Sequence, residues 1–136
     1  MSSEPLEPGL YHIKSQQSDD YLTALFPGNG RIVAQPEKGE PFAINPEGPN
    51  FVIYFRGIPV GVVGDHLIAQ PNVPQVVWKV TKAEAQGAWV FERDDEPRGW
   101  WFDPEQEDNL TIRPLIAIPS YPPQYPPPEL FVLEMA

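Results

Sequence analysis

Two stretches of the chain, "IVAQPEKGEPFAI" (32–44) and "LIAQPNVPQVVWKV" (67–80), follow the same order of residue types. Each runs from apolar residues into Ala-Gln-Pro, through a short polar gap, and into a second apolar stretch. A weaker third copy is "LTIRP", in which Pro114 takes the place of Pro36 and Pro71. Such internal similarity indicates three repeated units, the last of them lengthened by an insertion.

The rest of the chain consists of short strand-like runs separated by turn residues. Alternation of apolar and polar residues, as in "LYHIKS" (10–15), is typical of half-buried strands. The 19 prolines and 10 glycines interrupt every candidate helix, and "TKAEAQGAW" (81–89) is too short to form an unsupported one. Turns are predicted at 27–30, 37–40, 45–50, 96–99 and 103–109. Twelve strands are predicted, at 10–15, 20–26, 31–35, 41–45, 51–57, 58–64, 66–70, 76–80, 88–94, 99–103, 109–114 and 129–135.

Four strands in each of three units predict a particular closed architecture. A propeller usually needs at least four blades, whereas three units make a β-trefoil, in which six strands close a barrel and three hairpins cap one end. We therefore predict an all-β, β-trefoil fold without disulfides, forming a single domain over residues 1–136. Its units span about 9–48, 49–86 and 87–136, and residues 1–8 are expected to be a flexible N-terminus.

Charge and cysteine content exclude several classes of function. A formal charge of −10 repels phosphate backbones and anionic lipids, so neither nucleic acid nor a membrane is an expected partner. No cysteine is present, and the N-terminus lacks the basic and apolar regions of a signal peptide, so a cytoplasmic location is expected.

The residues needed for catalysis or for a cofactor are sparse. His12 and His66 each lie in or at the head of a predicted strand, where a lone histidine is more often a packing residue than a general base. The acidic runs 94–96 and 105–108 lack the spacing of a calcium loop, and no glycine motif for phosphate is present. We therefore expect no enzyme activity, no metal site and no cofactor.

Aromatic residues keep a sugar-binding function open. Trp100 and Trp101 are adjacent in a strand and must point to opposite faces. The outward one either stacks on a sugar, anchors a partner, or simply covers the barrel mouth. The run "QVVW" (75–78) is similar to the Gln-x-Trp signature of trefoil lectins, with one residue too many.

Two loops are candidates for binding another protein, since loops carry most binding functions. The segment 116–130 is rich in proline and therefore stiff, and it contains Tyr121 and Tyr125. It either docks in a partner or packs these tyrosines against the barrel. In the loop "FPGNGRI" (26–32), Asn29 stands before Gly30, which is either a type I′ turn or an exposed tip that presents the asparagine.

The chain resembles the cospin/cnispin-like family of small mushroom β-trefoil inhibitors of serine proteases. The resemblance lies in "PGLYHIK" (8–14), "DYLTALFPGNGRIVAQP" (20–36) and "QVVWKV" (75–80), together with the absence of cysteine. It implies a fungal protein that inserts a substrate-like loop into a protease. By position, this loop consists of Pro27, Gly28, Asn29, Gly30 and Arg31, with Asn29 as the P1 residue and Gly30 as P1′.

An alternative reactive tip is "EPRGW" (96–100), because a trypsin-like protease prefers arginine or lysine at P1. It presents Arg98 between Pro97 and Gly99, although the preceding acidic residues would weaken entry into an acidic pocket. Three functions thus stay open: protease inhibition, carbohydrate binding, and protein interaction through segment 116–130. The net negative charge favours a basic protein partner.

Overall fold

The computed structural model describes residues 6–25, 30–83, 86–105, 110–114 and 125–136. Within these ranges it contains twelve strands and a 3-10 helix, Pro127–Glu129, so the predicted all-β fold of twelve strands is confirmed. No helix in the same ranges is long and apolar enough to cross a membrane. The strands are β1 (Gly9–Ser15), β2 (Tyr21–Ala24), β3 (Ile32–Gln35), β4 (Phe42–Glu47), β5 (Asn50–Phe55), β6 (Ile58–Val63), β7 (His66–Ala69), β8 (Trp78–Ala83), β9 (Ala88–Arg93), β10 (Arg98–Trp101), β11 (Thr111–Pro114) and β12 (Phe131–Met135).

Six of the strands form a closed ring of antiparallel pairs. Strand β1 pairs with β12 and β4, β4 with β5, and β5 with β8. Strand β8 pairs with β9, and β9 pairs with β12, which returns the ring to β1. Because a closed ring has no free edge, the backbone groups of these strands find partners within the chain rather than in other molecules.

The remaining strands form three hairpins, β2–β3, β6–β7 and β10–β11. Their backbones are tied together: the Leu110 N–H donates to the Ile32 carbonyl (2.9 Å), and the Leu67 N–H donates to the Leu110 carbonyl (3.1 Å). A bridge between Arg31 and Ile68 joins the other two hairpins. Ile32, Leu67 and Leu110 each lie four residues before the proline of one repeat copy, so the sequence repeat coincides with a repeated hydrogen-bond position.

The interior is filled by apolar side chains from every part of the ring. In β1 the side chains of Tyr11 and Ile13 are buried and those of His12 and Lys14 are partly exposed, which confirms the predicted period of two. The largest buried rings are contributed by separate strands and meet in one cluster. Trp100 stacks on Phe91 with centroids 4.2 Å apart, and its edge faces Trp78 at 5.5 Å. Aromatic pairs in these geometries stabilise a core beyond the area that they bury.

Two local predictions are wrong. Residues 45–50 were expected to form a turn, but β4 continues through Pro46 to Glu47 and only Gly48 and Pro49 connect it to β5. The end of this hairpin is exposed, so the missing N–H of Pro46 is tolerated there. The flexible N-terminus predicted over residues 1–8 does not hold at Leu6, whose side chain is buried in the main core.

Candidate functional site

The loop between β2 and β3 is fixed at its base by backbone hydrogen bonds. The Leu25 N–H donates to the Arg31 carbonyl (3.0 Å), and the Gly30 N–H donates to the Leu25 carbonyl (3.1 Å). From β7, the Ala69 N–H donates to the Gly30 carbonyl (2.8 Å), and Ile68 bridges Arg31. The loop base is therefore attached both across its own hairpin and to the neighbouring one.

Gly30 occupies a position that only glycine fits. Its φ is +76°, in the left-handed region, and a Cβ atom here would overlap the Ala69 carbonyl oxygen and lie 3.2 Å from the carbonyl carbon. Residues with a side chain pay a steric cost at this φ even in open space. The absence of a side chain thus lets the loop base approach the β6–β7 hairpin closely.

The predicted reactive loop falls partly outside the described residues. Pro27, Gly28 and Asn29 lie in the undescribed interval 26–29, and Tyr121 lies in 115–124. Gly30 is buried and Arg31 is partly exposed, so both belong to the loop base.

The alternative tip around Arg98 is held by ionic contacts. Arg98 is the first residue of β10, and its Nη2 donates to Asp65 Oδ1 (2.5 Å) and to the Ile112 carbonyl (3.1 Å). This hydrogen bond from Arg98 is the main reason why the pKa of the Asp65 carboxyl is lowered. Pro97 is exposed and Gly99 is buried. Arg98 would have to break both interactions before it could enter a protease pocket.

Tyr125, at the end of the proline-rich segment, packs against the body of the protein. Its ring contacts a small buried cluster that includes Leu130, and burial raises the pKa of its hydroxyl. The side-chain amide of Gln86 accepts from the Tyr125 N–H (2.8 Å) and donates to the Tyr125 carbonyl (2.8 Å). Gln16 Nε2 in turn donates to the Gln86 carbonyl (2.7 Å). Of the two predicted alternatives, packing against the barrel is the one that Tyr125 adopts.

The structure does not bring the histidines together with other reactive groups. The His12 ring meets the Tyr21 ring edge-on at 6.3 Å, whereas His66 lies in β7, which does not pair with β1. Among the described residues, no group of three or more histidine or acidic side chains could hold a metal ion. Trp100 is buried, and the neighbouring Trp101 is partly covered by the Arg113 guanidinium, 5.6 Å from its ring centroid.

Sequence reasoning missed three features near these sites: the Gln86 contact with Tyr125, the Asp65–Arg98 ion pair, and the attachment of Gly30 to Ala69. Each joins residues that are distant in the chain, and no short motif carries them. The glycine after Asn29 was the one available signal, because glycine commonly marks a close backbone approach.

Comparisons with known proteins agree on the architecture and identify a family. A proteinase inhibitor from Coprinopsis cinerea is 26% identical, with a TM-score of 0.87, and the alignment covers 96% of this chain and 99% of that one. The Macrolepiota procera ricin B-like lectin, solved with lactose, is 11% identical with a TM-score of 0.74, over 100% of this chain and 99% of the lectin. The Rhizoctonia solani agglutinin is 12% identical with a TM-score of 0.74, over 99% and 100% of the two chains.

At these low identities the two sugar-binding proteins share only the fold with this chain. A comparison with curated protein sequences gave no match. The model of one protein family, the peptidase inhibitor I66 family, matches residues 4–135. Because this match spans nearly the whole chain, the chain belongs to the peptidase inhibitor I66 family and is a protease inhibitor rather than an enzyme.

Proposed function

We propose that the chain is a β-trefoil that inhibits a serine protease through the loop between β2 and β3, with Asn29 as the P1 residue. Three observations support the trefoil: the ring of six paired strands, the three hairpins, and the hydrogen-bond position repeated in each. Pro27, Gly28, Gly30 and Arg31 form the rest of the reactive loop, which enters the protease as a substrate does.

The observation that carries this proposal is the attachment of the loop base. A loop that is already held in its bound shape loses less conformational entropy on docking, so that more of the contact energy appears as affinity. Here the hydrogen bonds of Leu25, Gly30 and Ala69 hold both ends of the loop. If the protease attacks the peptide bond after Asn29, the ends stay in place, the product leaves slowly, and resealing of the bond competes with release.

The described contacts favour this loop over the Arg98 tip. The Arg98 guanidinium is already engaged by Asp65 and by the Ile112 carbonyl, and the acidic residues 94–96 precede it. Tyr125, a proposed secondary contact, is tied to Gln86 and packed on the barrel. A carbohydrate-binding function draws less support, since only the fold is shared with the lectins.

The charge of the chain indicates the kind of protease that it meets. With 19 acidic and 9 basic side chains, the inhibitor attracts a basic enzyme over distances of about 10 Å at moderate ionic strength. Added salt should therefore slow association more than it speeds dissociation. The trypsin-like class remains our proposal for the target.

The test is a titration against trypsin, chymotrypsin, subtilisin and an asparagine-specific endopeptidase. We expect Asn29→Ala to raise the inhibition constant for the inhibited serine protease about tenfold or more, the loss of about 1.4 kcal/mol. Arg98→Ala, and Asn72→Ala in another exposed turn, should leave it unchanged. Inhibition that survives Asn29→Ala would contradict the loop assignment, and inhibition of the asparagine-specific enzyme alone would contradict the serine protease class.

A further inference from the structure

A cavity of about 470 Å³ opens where β7, β10 and β11 meet. Its polar lining comes from Asp65, His66, Arg98, Thr111 and Arg113. The volume lies within the range of small-molecule sites, which combine a shaped cavity with a few convergent polar groups. The cavity is separate from the loop base, since it shares none of its lining residues with Leu25, Gly30 or Arg31.

The charge of this cavity is opposite to that of the chain. Two guanidinium groups face a single carboxylate, while the whole chain carries a charge of −10. A second cavity, around Arg93, follows the composition of the chain instead: Lys79 and Arg93 are outnumbered there by acidic residues of the segment 92–96. A basic cavity in an acidic protein concentrates its attraction for anions at one place.

The arrangement inside the cavity leaves a defined role for Arg113. The one carboxylate, Asp65, is engaged by Arg98, which also donates to the Ile112 carbonyl. The Arg113 guanidinium lies over the Trp101 ring at 5.6 Å, which fixes the direction of its plane. A guanidinium held in one plane is suited to bind a carboxylate through two parallel hydrogen bonds.

His66 adds a second polar group at the floor of the cavity. Its Nδ1 atom is shielded from solvent and has no hydrogen-bond partner in the described part of the chain. Buried polar atoms are nearly always hydrogen-bonded, so an exception calls for an explanation such as a bound ligand or water. Thr111, opposite His66 in the β7–β11 pair, supplies a hydroxyl group beside it.

We propose that this cavity binds the carboxylate group of a small polar molecule, such as an acidic sugar. Arg113 binds the carboxylate, while His66 and Thr111 donate to or accept from neighbouring hydroxyl groups. One net positive charge suits a single carboxylate better than a phosphate dianion. The proposal is independent of the reactive loop, because it involves a different part of the surface.

NMR titration of the isotope-labelled full chain tests this proposal with sodium galacturonate, sodium acetate, neutral galactose and inorganic phosphate. We expect galacturonate to shift the Arg113 side-chain signal and the Ile112 amide in a saturable way, with a Kd on the order of 1 mM. Acetate should bind more weakly at the same place, and galactose should not bind. Arg113→Gln should abolish saturation, His66→Gln should weaken it several-fold, and Arg93→Gln, in the second cavity, should leave it unchanged.

Three results would overturn the proposal. Linear, unsaturable shifts, or equal responses in wild type and Arg113→Gln, would mean that no site exists. Phosphate binding as tightly as galacturonate would show a general counter-ion effect. Weaker protease inhibition in Arg113→Gln without any response to small carboxylates would assign the cavity to an acidic side chain of the protease instead.

Discussion

Replacing Gly30 by alanine tests whether the close contact with Ala69 holds the candidate loop. Two costs are expected: a left-handed φ of +76°, at about 1–2 kcal/mol for a residue with a Cβ, and the overlap with the Ala69 carbonyl. Relieving this overlap pushes the two hairpins apart, at about 1–3 kcal/mol for overpacking. It also weakens the 2.8 Å hydrogen bond between them, at about 1 kcal/mol.

The chain contains a matched control for the first of these costs. Gly57, in the turn between β5 and β6, has a φ of +75°, and nothing lies within 4 Å of a Cβ atom placed there. Gly57→Ala therefore carries the cost of φ without the overlap. We expect Gly30→Ala to lower the free energy of unfolding by about 2–4 kcal/mol more than Gly57→Ala does.

Urea denaturation measures this difference, and inhibition assays measure its effect on function. Gly30→Ala should weaken inhibition at least tenfold and increase the rate at which the protease cleaves the inhibitor, because the loop ends are no longer held. Gly57→Ala should inhibit as the wild type does. Equal free energies of unfolding for the two variants would show that the contact with Ala69 stabilises nothing, and the reasoning on the loop base would fail.

Three further predictions concern the body of the protein. Gln86→Ala removes two hydrogen bonds to Tyr125 and should cost about 2 kcal/mol in urea denaturation, whereas Gln75→Ala, at an exposed position, should cost nothing measurable; equal effects would contradict this assignment. Trp100→Ala should lower stability by about 3–5 kcal/mol and the partly exposed Trp101→Ala by clearly less, a comparison that fails if the two are alike. Hydrogen bonds from Tyr21, Lys14 and Lys38 hold the pKa of Glu134 below its usual 4.5, so its stabilising effect is present above that pH and is lost as the pH falls through the lowered pKa. The difference in urea midpoint between wild type and Glu134→Gln should accordingly be present at pH 7 and vanish in acid, unlike that of the exposed Glu47→Gln; a constant difference would rule out this carboxylate as the cause.

Much of the fold could be predicted because strands leave a local signal. Alternation along β1, turn residues between runs, and the spacing of the repeated prolines all act over short distances in sequence. The course of β4 through Pro46 could not be predicted, because it depends on an exposed hairpin end that tolerates a missing N–H. The burial of Leu6 likewise depends on which distant side chains surround it, and this information is absent from the segment itself.

The candidate site could be predicted less completely. The loop after β2 and its glycine were identified, but the reason for the glycine lies in Ala69, which is far along the chain. Similarly, Arg98 resembled an exposed tip, since the partner that engages it, Asp65, comes from another hairpin. Long-range ion pairs and backbone contacts have no short sequence motif, and these are the features that decide which loop is held and which side chain is available.

The hydrogen bonds between the three hairpins involve backbone groups of Ile32, Leu67 and Leu110. Main-chain atoms are common to every amino acid, so this junction places few demands on the residues that extend beyond it. Mutation can therefore diversify the outer segments while the scaffold keeps its shape. A lineage built on this plan can follow a changing set of target enzymes by rewriting a handful of codons.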